Sequence, residues 1–342
     1  METFLIDEWI GAEDDAIAVV DEASLSLLRT RTREVAAAQQ LTAVDTERLT
    51  TIASELGRNQ LRHARRGLFT ARARNRGEHR GVELTAADEG DGIADPTSVL
   101  EGRPRVEGSL GFGLASARSL AFELDVDVRL REGTCIRARV FDGTHGTPPK
   151  RREIGIYGRP HRDEVRSGDH AGAYRDEDQL LLAVCDGLGH GDPARSAAGE
   201  AMRAVVRNRA SSPMAILEAV HAALGPTRGA VMAVLALRQG DTSLDLASVG
   251  NVTAELVQPR ASRRFGGSSF VLGSPQRAWR AQPAQDVATR EEAVVLFTDG
   301  IASRASIEAD LTLLRDHPVV IAHQLVARFG RDDDDVLVLV AK

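Results

Sequence analysis

The sequence predicts a two-domain α/β (α+β) protein, and three observations carry that expectation. The chain has 342 residues, too many for one ordinary core and comfortable for two of about 150 each. The stretch Asp142 to Arg152, DGTHGTPPKRR, joins Gly, Thr, a Pro pair and a charge cluster with no periodicity, which is how a linker reads. Helices and strands alternate before it, and short apolar strands recur among helices and loops after it. The expected domains are therefore 1–141 and 153–342, joined by 142–152.

Composition narrows the function classes. The net charge of −7 argues against a general nucleic-acid binder. No apolar run approaches the roughly 18 residues of a membrane span, and the acidic start, Met1 to Asp15, lacks the cationic region of a secretion signal. The two cysteines, Cys135 and Cys185, sit in apolar, strand-like stretches and make neither a metal spacing nor a disulfide framework, so a reducing cytoplasm is the expected home. One basic region, Arg58 to Arg80, reads either as a solvated face or as a docking patch for an acidic partner.

In the first half, Asp45 is the expected N-cap of a helix running to about His63. Leu49, Ile52, Ala53 and Leu56 follow the i, i+3, i+4, i+7 rule and form its buried stripe. Glu55 and Asn59 lie roughly 40° apart beside that stripe, so an acid and an amide can enter a pocket together. Val82, Leu84 and Ala86 then alternate as one face of a strand that runs into DEGDG, Asp88 to Gly92. A carboxylate at a strand end can accept a hydrogen bond from an exocyclic amine, and spaced glycines admit a planar base against the backbone. The stretch GSLGFGL, Gly108 to Leu114, opens a helix and offers backbone N–H groups to phosphate oxygens. Gly133 and Thr134 enter a further apolar strand, Cys135 to Phe141.

In the second half, Leu180 to Cys185, Ala293 to Phe297 and Val336 to Ala341 are continuous apolar runs, the mark of strands buried on both faces. Each has aspartate at an end: Asp186–Gly187, Asp299–Gly300 and Asp332 to Asp335. Three such carboxylate ends brought together would repel unless cations neutralised them. Hard divalent cations accept oxygen-only sites of this kind, and two of them can activate water and clamp a phosphoryl group. The alternative is three unrelated strand–turn junctions. No Ser–His–Asp or Cys–His arrangement is visible; His190, in DGLGHG, is either a loop residue or a group for proton transfer or phosphate contact.

Taken in order, ELGRN (Glu55 to Asn59), DEGDG, GFG (Gly111 to Gly113) and Gly133–Thr134 resemble the boxes of the GHKL ATPase superfamily, in particular its anti-sigma-factor serine kinases of the RsbT-like switch type. The resemblance implies Asn59 as a Mg²⁺ ligand, Asp88 as the adenine reader, Gly90, Gly92, Gly111, Gly113 and Thr134 around the ATP, and Glu55 as the group that orients or deprotonates the acceptor hydroxyl. SGD (Ser167 to Asp169), DGLGHG (Asp186 to Gly191), Gly250–Asn251 and TDG (Thr298 to Gly300) resemble the PPM-type metal-dependent phosphatases of the SpoIIE/RsbX-like branch. That resemblance implies an α/β/β/α sandwich with two Mn²⁺ or Mg²⁺ ions. Asp186 with the Gly187 carbonyl would be central, with Asp299 a further ligand and Asp169 a second-metal candidate. The last ligand would come from the four terminal aspartates, where strand length favours Asp332–Asp333 and leaves Asp334 open. Together the two likenesses imply a bifunctional regulator of a bacterial partner-switching pathway, with kinase and phosphatase activity on STAS-domain antagonist or stressosome-type proteins and with a sigma-regulatory partner as a further possibility. The rival reading is a phosphatase whose first domain only senses ATP or captures a sigma factor.

Overall fold

The computed structural model describes residues 5–11, 15–103, 113–143, 146–238, 242–258, 261–275, 280–289, 291–303, 305 and 313–342. Backbone contacts divide the chain into two units, Met1–Glu153 and Ile154–Lys342. Within the region expected to link the domains, residues 149–151 are tied to the first unit: the Arg76 guanidinium donates to the Pro149 carbonyl at 2.6 Å, and the Arg151 N–H donates to Glu123 at 2.7 Å.

The first unit runs α1 (Leu5–Ile10), β1 (Ile17–Ala18), α2 (Glu22–Ala38), α3 (Ala43–His63), β2 (Ala64–Ala73), β3 (Gly81–Gly90), α4 (Pro96–Leu100), α5 (Gly113–Leu120), β4 (Glu123–Arg129) and β5 (Gly133–Phe141). Its strands pair antiparallel in the order β1-β2-β3-β5-β4. Helix α3 starts ahead of the expected Asp45 because Thr42 is the N-cap. The Thr42 hydroxyl accepts from the Asp45 N–H at 3.1 Å and donates to the Asp45 carboxylate at 2.8 Å, so Asp45 occupies the third helical position. Leu49, Ile52, Ala53 and Leu56 are buried as the periodicity requires. Gly57 lets α2 approach: a Cβ there would lie 2.6 Å from both Leu25 and Leu28. The Gln60 amide, buried, donates to the carbonyls of Leu68 and Ala87 and fixes the helix to β2 and β3.

Val82, Leu84 and Ala86 alternate with Glu83 and Thr85, placing the two sets on opposite faces of β3. The polar set is buried in a charge network. Arg139 reaches Glu83 at 2.6 Å and Asp125 at 2.7 Å, while Arg76 donates to both oxygens of Glu123 at 2.7 Å. Burial opposes ionisation of Glu83, yet Arg139, Arg74 and Arg137 together hold it down to about 2. In the basic stretch, Arg58, Arg66, Arg72, Arg74 and Arg76 all have carboxylate partners within this unit. That pairing fits a satisfied intramolecular surface better than a free docking patch.

The second unit runs β6 (Ile154–Arg159), β7 (Asp169–Arg175), β8 (Gln179–Gly187), α6 (Asp192–Arg207), α7 (Pro213–Ala223), β9 (Ala230–Arg238), β10 (Ser243–Val249), β11 (Thr253–Gln258), β12 (Ala261–Phe265), β13 (Gln282–Val287), β14 (Ala293–Phe297), α8 (Pro318–Phe329) and β15 (Val336–Ala341). One sheet has the order β6-β15-β14-β11-β12 and the other β13-β10-β9-β8-β7. Leu180, Leu182 and Val184 join Val294, Leu296, Leu337 and Leu339 in the core between the sheets. Leu181, Ala183 and Cys185 point the other way, into the cluster under α6 and α7. Helix α8 packs on β6 and β15. The layers are α/β/β/α, and the continuous apolar runs are explained: each inner strand buries both faces.

Candidate functional site

Each unit gathers its own set of functional side chains. In the first, Glu55 and Asn59 leave α3 one turn apart and meet the N-terminus of α5. A Cβ on Gly113 would lie 3.1 Å from Glu55 Oε2 and 3.3 Å from both amide atoms of Asn59. Arg58 holds the other Glu55 oxygen at 2.5 Å. Asp88 lies near the end of β3, opposite Thr134 of β5. Burial pushes its carboxyl up to about 7, against the pull of the Thr134 N–H.

The glycines around Asp88 have separate reasons. Gly133, at φ +146°, leaves no room for a side chain, since a Cβ would stand 1.9 Å from the Asp88 carbonyl oxygen. At Gly90 a Cβ would crowd the Asp88 carboxylate at 2.8 Å, so glycine there keeps the carboxylate accessible. Gly92, at φ +75°, packs on the Arg129 backbone and serves the turn. Gly111 lies outside the described residues. A half-buried acceptor at a glycine-cleared strand end, with an amide and a carboxylate at a helix N-terminus, suits a purine nucleotide and its metal-bound phosphates.

In the second unit the aspartates come together as the strand ends demand. Asp169 opens β7 directly opposite Asp186 of β8. Thr298, buried after β14, donates to Asp169 at 2.7 Å and accepts from the Leu337 N–H at 3.0 Å, tying β7 to β15. Asp299 accepts from the Asn251 amide at 2.6 Å. The Asp-Gly pairs are close-packing sites as well as turns. A Cβ on Gly187 would lie 2.1 Å from the Ala194 carbonyl oxygen, and one on Gly300 would lie 2.0 Å from that of Asp335.

Burial, and then the charges of Asp299, Asp334 and Asp335, push Asp186 up to about 8. Burial and then Asp186 raise Asp169 well above the usual carboxylate range, and burial and then Asp299 raise Asp334. A pocket of about 540 Å³ is lined by Asp186, Asp299, Asp333 and Asp334 with His161 and His190. Among the terminal aspartates, Asp332 is 94% exposed and faces Arg159 at 3.4 Å. Asp335 is buried and accepts from the backbone of His161 and Gly168. Asp334, left open by the sequence, lines the pocket with Asp186 and Asp299, and after burial it is the Asp299 charge that raises its carboxyl.

Among the described residues no group of three or more His, Cys, Asp or Glu side chains forms a ready-made metal cage. The crowded carboxylates instead make an open, oxygen-only site of the sort that Mg²⁺ and Mn²⁺ complete with water. Asn251 and Thr298, which bond the carboxylates of Asp299 and Asp169, stand with those partners in motifs visible in the sequence, but the pairing itself is not. Glu164, which meets His190 across 26 residues, has no local signal at all.

Comparison with known proteins follows the same division. A family model described as histidine kinase-like ATPase domain matches residues 19–140, and one described as stage II sporulation protein E (SpoIIE) matches residues 176–342. The serine/threonine-protein kinase RsbT of Bacillus subtilis (strain 168) is 32% identical over 127 residues, which is 37% of this chain and 95% of that protein. A solved structure described as "The bacterial stressosome: a modular system that has been adapted to control secondary messenger signaling" is 28% identical with a TM-score of 0.53, covering 56% of this chain and 100% of its own. RsbX in complex with magnesium, at 22% identity and a TM-score of 0.50, covers 57% of this chain and 96% of its own, a likeness of fold. The chain therefore belongs to the histidine kinase-like ATPase family through its first unit, as a relative of RsbT, while its second unit is matched by the SpoIIE model and has a fold like that of RsbX.

Proposed function

We propose that the protein is a bifunctional regulator of a partner-switching pathway, a protein serine/threonine kinase in its first unit and a metal-dependent phosphoserine/phosphothreonine phosphatase in its second. The observation that carries this reading is that one chain holds both an acid–amide pair at a helix N-terminus, with a half-buried carboxylate at a glycine-lined strand end, and a set of mutually repelling carboxylates at buried strand ends. STAS-type antagonist proteins are the proposed substrates.

In the kinase half, Asp88 accepts from the adenine amine, Asn59 faces the phosphate-bound Mg²⁺, and Glu55 orients the acceptor hydroxyl and takes its proton. ATP supplies the phosphoryl group. Positioning is most of the catalytic task in such transfer, and Arg58 contributes by fixing one Glu55 oxygen while the other faces α5.

In the phosphatase half, Asp186, the Gly187 carbonyl, Asp299 and Asp334 are proposed to hold divalent ions, with Asp169 beneath them. Bound ions would supply the positive charge that polarises the phosphoryl oxygens and activates water. Asn251 bonds the pocket carboxylate of Asp299, and Thr298 bonds the buried carboxylate of Asp169.

The test uses the full chain with ATP and a STAS protein. Phosphate should appear on the substrate in Mg²⁺ and ATP. In Mn²⁺ it should be removed by the wild type but not by Asp186→Ala, whose ATP binding should be intact. EDTA should abolish removal and Mn²⁺ restore it. Phosphatase activity that survives EDTA, or the combined Asp186→Ala and Asp299→Ala change, would remove the metal-site reading.

A further inference from the structure

The segment that leads from β6 into β7 is pinned at its start, middle and end. The His161 N–H donates to Asp335 Oδ1 at 2.7 Å, and the Gly168 N–H donates to Asp335 Oδ2 at 2.8 Å. Between them Glu164 Oε1 meets His190 Nδ1 at 2.8 Å. Glycines make room for these pins. A Cβ on Gly168 would lie 3.0 Å from Asp335 Oδ2, and one on Gly191, at φ +73°, would lie 3.0 Å from Glu164 Oε1. The end of the segment is also held to β8, where the Gly187 N–H donates to the Gly168 carbonyl at 3.2 Å. Asp335 is 4% exposed and does not line the carboxylate pocket, whereas Asp333 and Asp334 do. Both of its oxygens are engaged by backbone N–H groups, and bonds of that kind to a charged acceptor are strong. They close residues 161–168 into an arch. The arch adjoins the pocket at His161, which is part of its lining. Between the pins it carries Val165, 69% exposed. An exposed valine is ordinary in itself; this one stands on a fixed backbone beside the pocket, where loops on a rigid scaffold carry recognition.

We propose that residues 161–168 form a preorganised arch that receives the polypeptide around the phosphorylated serine or threonine. Val165 contacts an apolar substrate side chain next to that residue, and Asp335 is the positioning residue of the arch. This rests on the phosphatase reading above. The carboxylate pocket deals with the phosphoryl group, which every phosphoester shares. Discrimination among phosphoproteins therefore has to come from surface continuous with the pocket, and the arch is continuous with it through His161. A loop fixed before the substrate arrives also avoids the entropy cost of ordering it on binding. The last aspartate of the terminal run thus serves recognition, while its neighbours face the pocket.

Two esters separate recognition from chemistry in the full chain with Mn²⁺. One is a peptide with leucine next to its phosphoserine; the other is p-nitrophenyl phosphate, which has no polypeptide to meet the arch. Val165→Asp should raise KM for the peptide about 10-fold, the worth of burying one valine side chain, with kcat on the peptide and both constants on the nitrophenyl ester near wild type. Asp335→Asn turns an amide N–H toward one of the two backbone donors. Amide hydrogen exchange across 161–168 should then quicken about 10-fold or more, as the loss of a bond to a charged acceptor predicts. Its peptide KM should rise as well, while Mn²⁺ affinity by calorimetry and activity on the nitrophenyl ester stay near wild type. Should Asp335→Asn fail to fold, Val165→Asp decides alone, because its side chain lies in solvent. A peptide KM unchanged in Val165→Asp would overturn the arch as a substrate surface. Equal losses on both esters in Asp335→Asn, or a loss of Mn²⁺ binding, would make Asp335 part of the metal site and overturn its positioning role. A wild type inert on both esters would overturn the phosphatase reading and the proposal with it.

Discussion

Asp88→Asn separates the cost of burying a carboxylate from its use. Burial pushes Asp88 up to about 7, against 3.8 for an ordinary aspartate. A folded carboxyl with a raised pKa keeps a proton that the unfolded chain releases. The stabilisation this gives is complete below the unfolded value and is lost as pH rises through about 7. Above that, the ionised group weighs on the nucleotide-free fold by the gap between the two values, ~4 kcal/mol at about 1.4 kcal/mol per pH unit. Asparagine has nearly the same volume and does not ionise. Its stability advantage over aspartate should grow by roughly 3 kcal/mol between about pH 5 and about pH 8. Urea unfolding of the full chain in a Trp279→Phe background measures this, because Trp9, bonded to Asp127 in the first unit, then reports alone. An adenine amine favours the ionised carboxylate, so ATP binding to the wild type at about pH 6 should release close to one proton, seen as a buffer-dependent heat. The variant should bind more weakly and release none. A stability difference that does not change with pH, or wild-type affinity with wild-type proton release in the variant, would refute the reasoning.

Other outcomes follow from the same geometry. Glu55→Gln should bind ATP normally and lose about 100-fold or more in phosphate transfer to protein, measured with labelled ATP, while Asn59→Ala should weaken ATP binding only when Mg²⁺ is present. Gly133→Val should cost at least ~2 kcal/mol in urea unfolding and abolish ATP binding, because its Cβ would strike the Asp88 carbonyl. Asp334→Asn should weaken Mn²⁺ binding in calorimetry, whereas Asp332→Asn, out in solvent against Arg159, should leave it unchanged.

Much of the fold was legible because its signals are local. The runs Ala293–Phe297 and Val336–Ala341 are strands with the expected bounds, and Leu180–Cys185 lies inside the longer β8. Apolar side chains without alternation can only be strands covered on both sides. The start of α3 was misplaced by three residues because Thr42 and Asp45 are both good caps, and only the Thr42 hydroxyl bonds choose between them. The four terminal aspartates could not be separated by spacing. What distinguishes Asp332, Asp334 and Asp335 is whether each meets solvent, Asp299 or the backbone of a distant loop. Glu164 was invisible for a related reason: its partner lies across the fold, and the feature that admits it is a missing side chain at Gly191.

The buried charges on β3, β4 and β5 bear on how that sheet comes to have one arrangement. Arg139 lies opposite Glu83 on one neighbour and opposite Glu123 on the other. Sliding either neighbour by one residue would turn its charges to the apolar face and set Leu or Val against the guanidinium. Well-packed hydrophobic residues could replace the whole set with little loss of stability, but they would accept the slipped pairings nearly as well as the right one. The network therefore acts on the misaligned sheets, raising their energy. Because Asp88 and Thr134 face each other only in this register, selecting it also selects the chain that can form a nucleotide cavity.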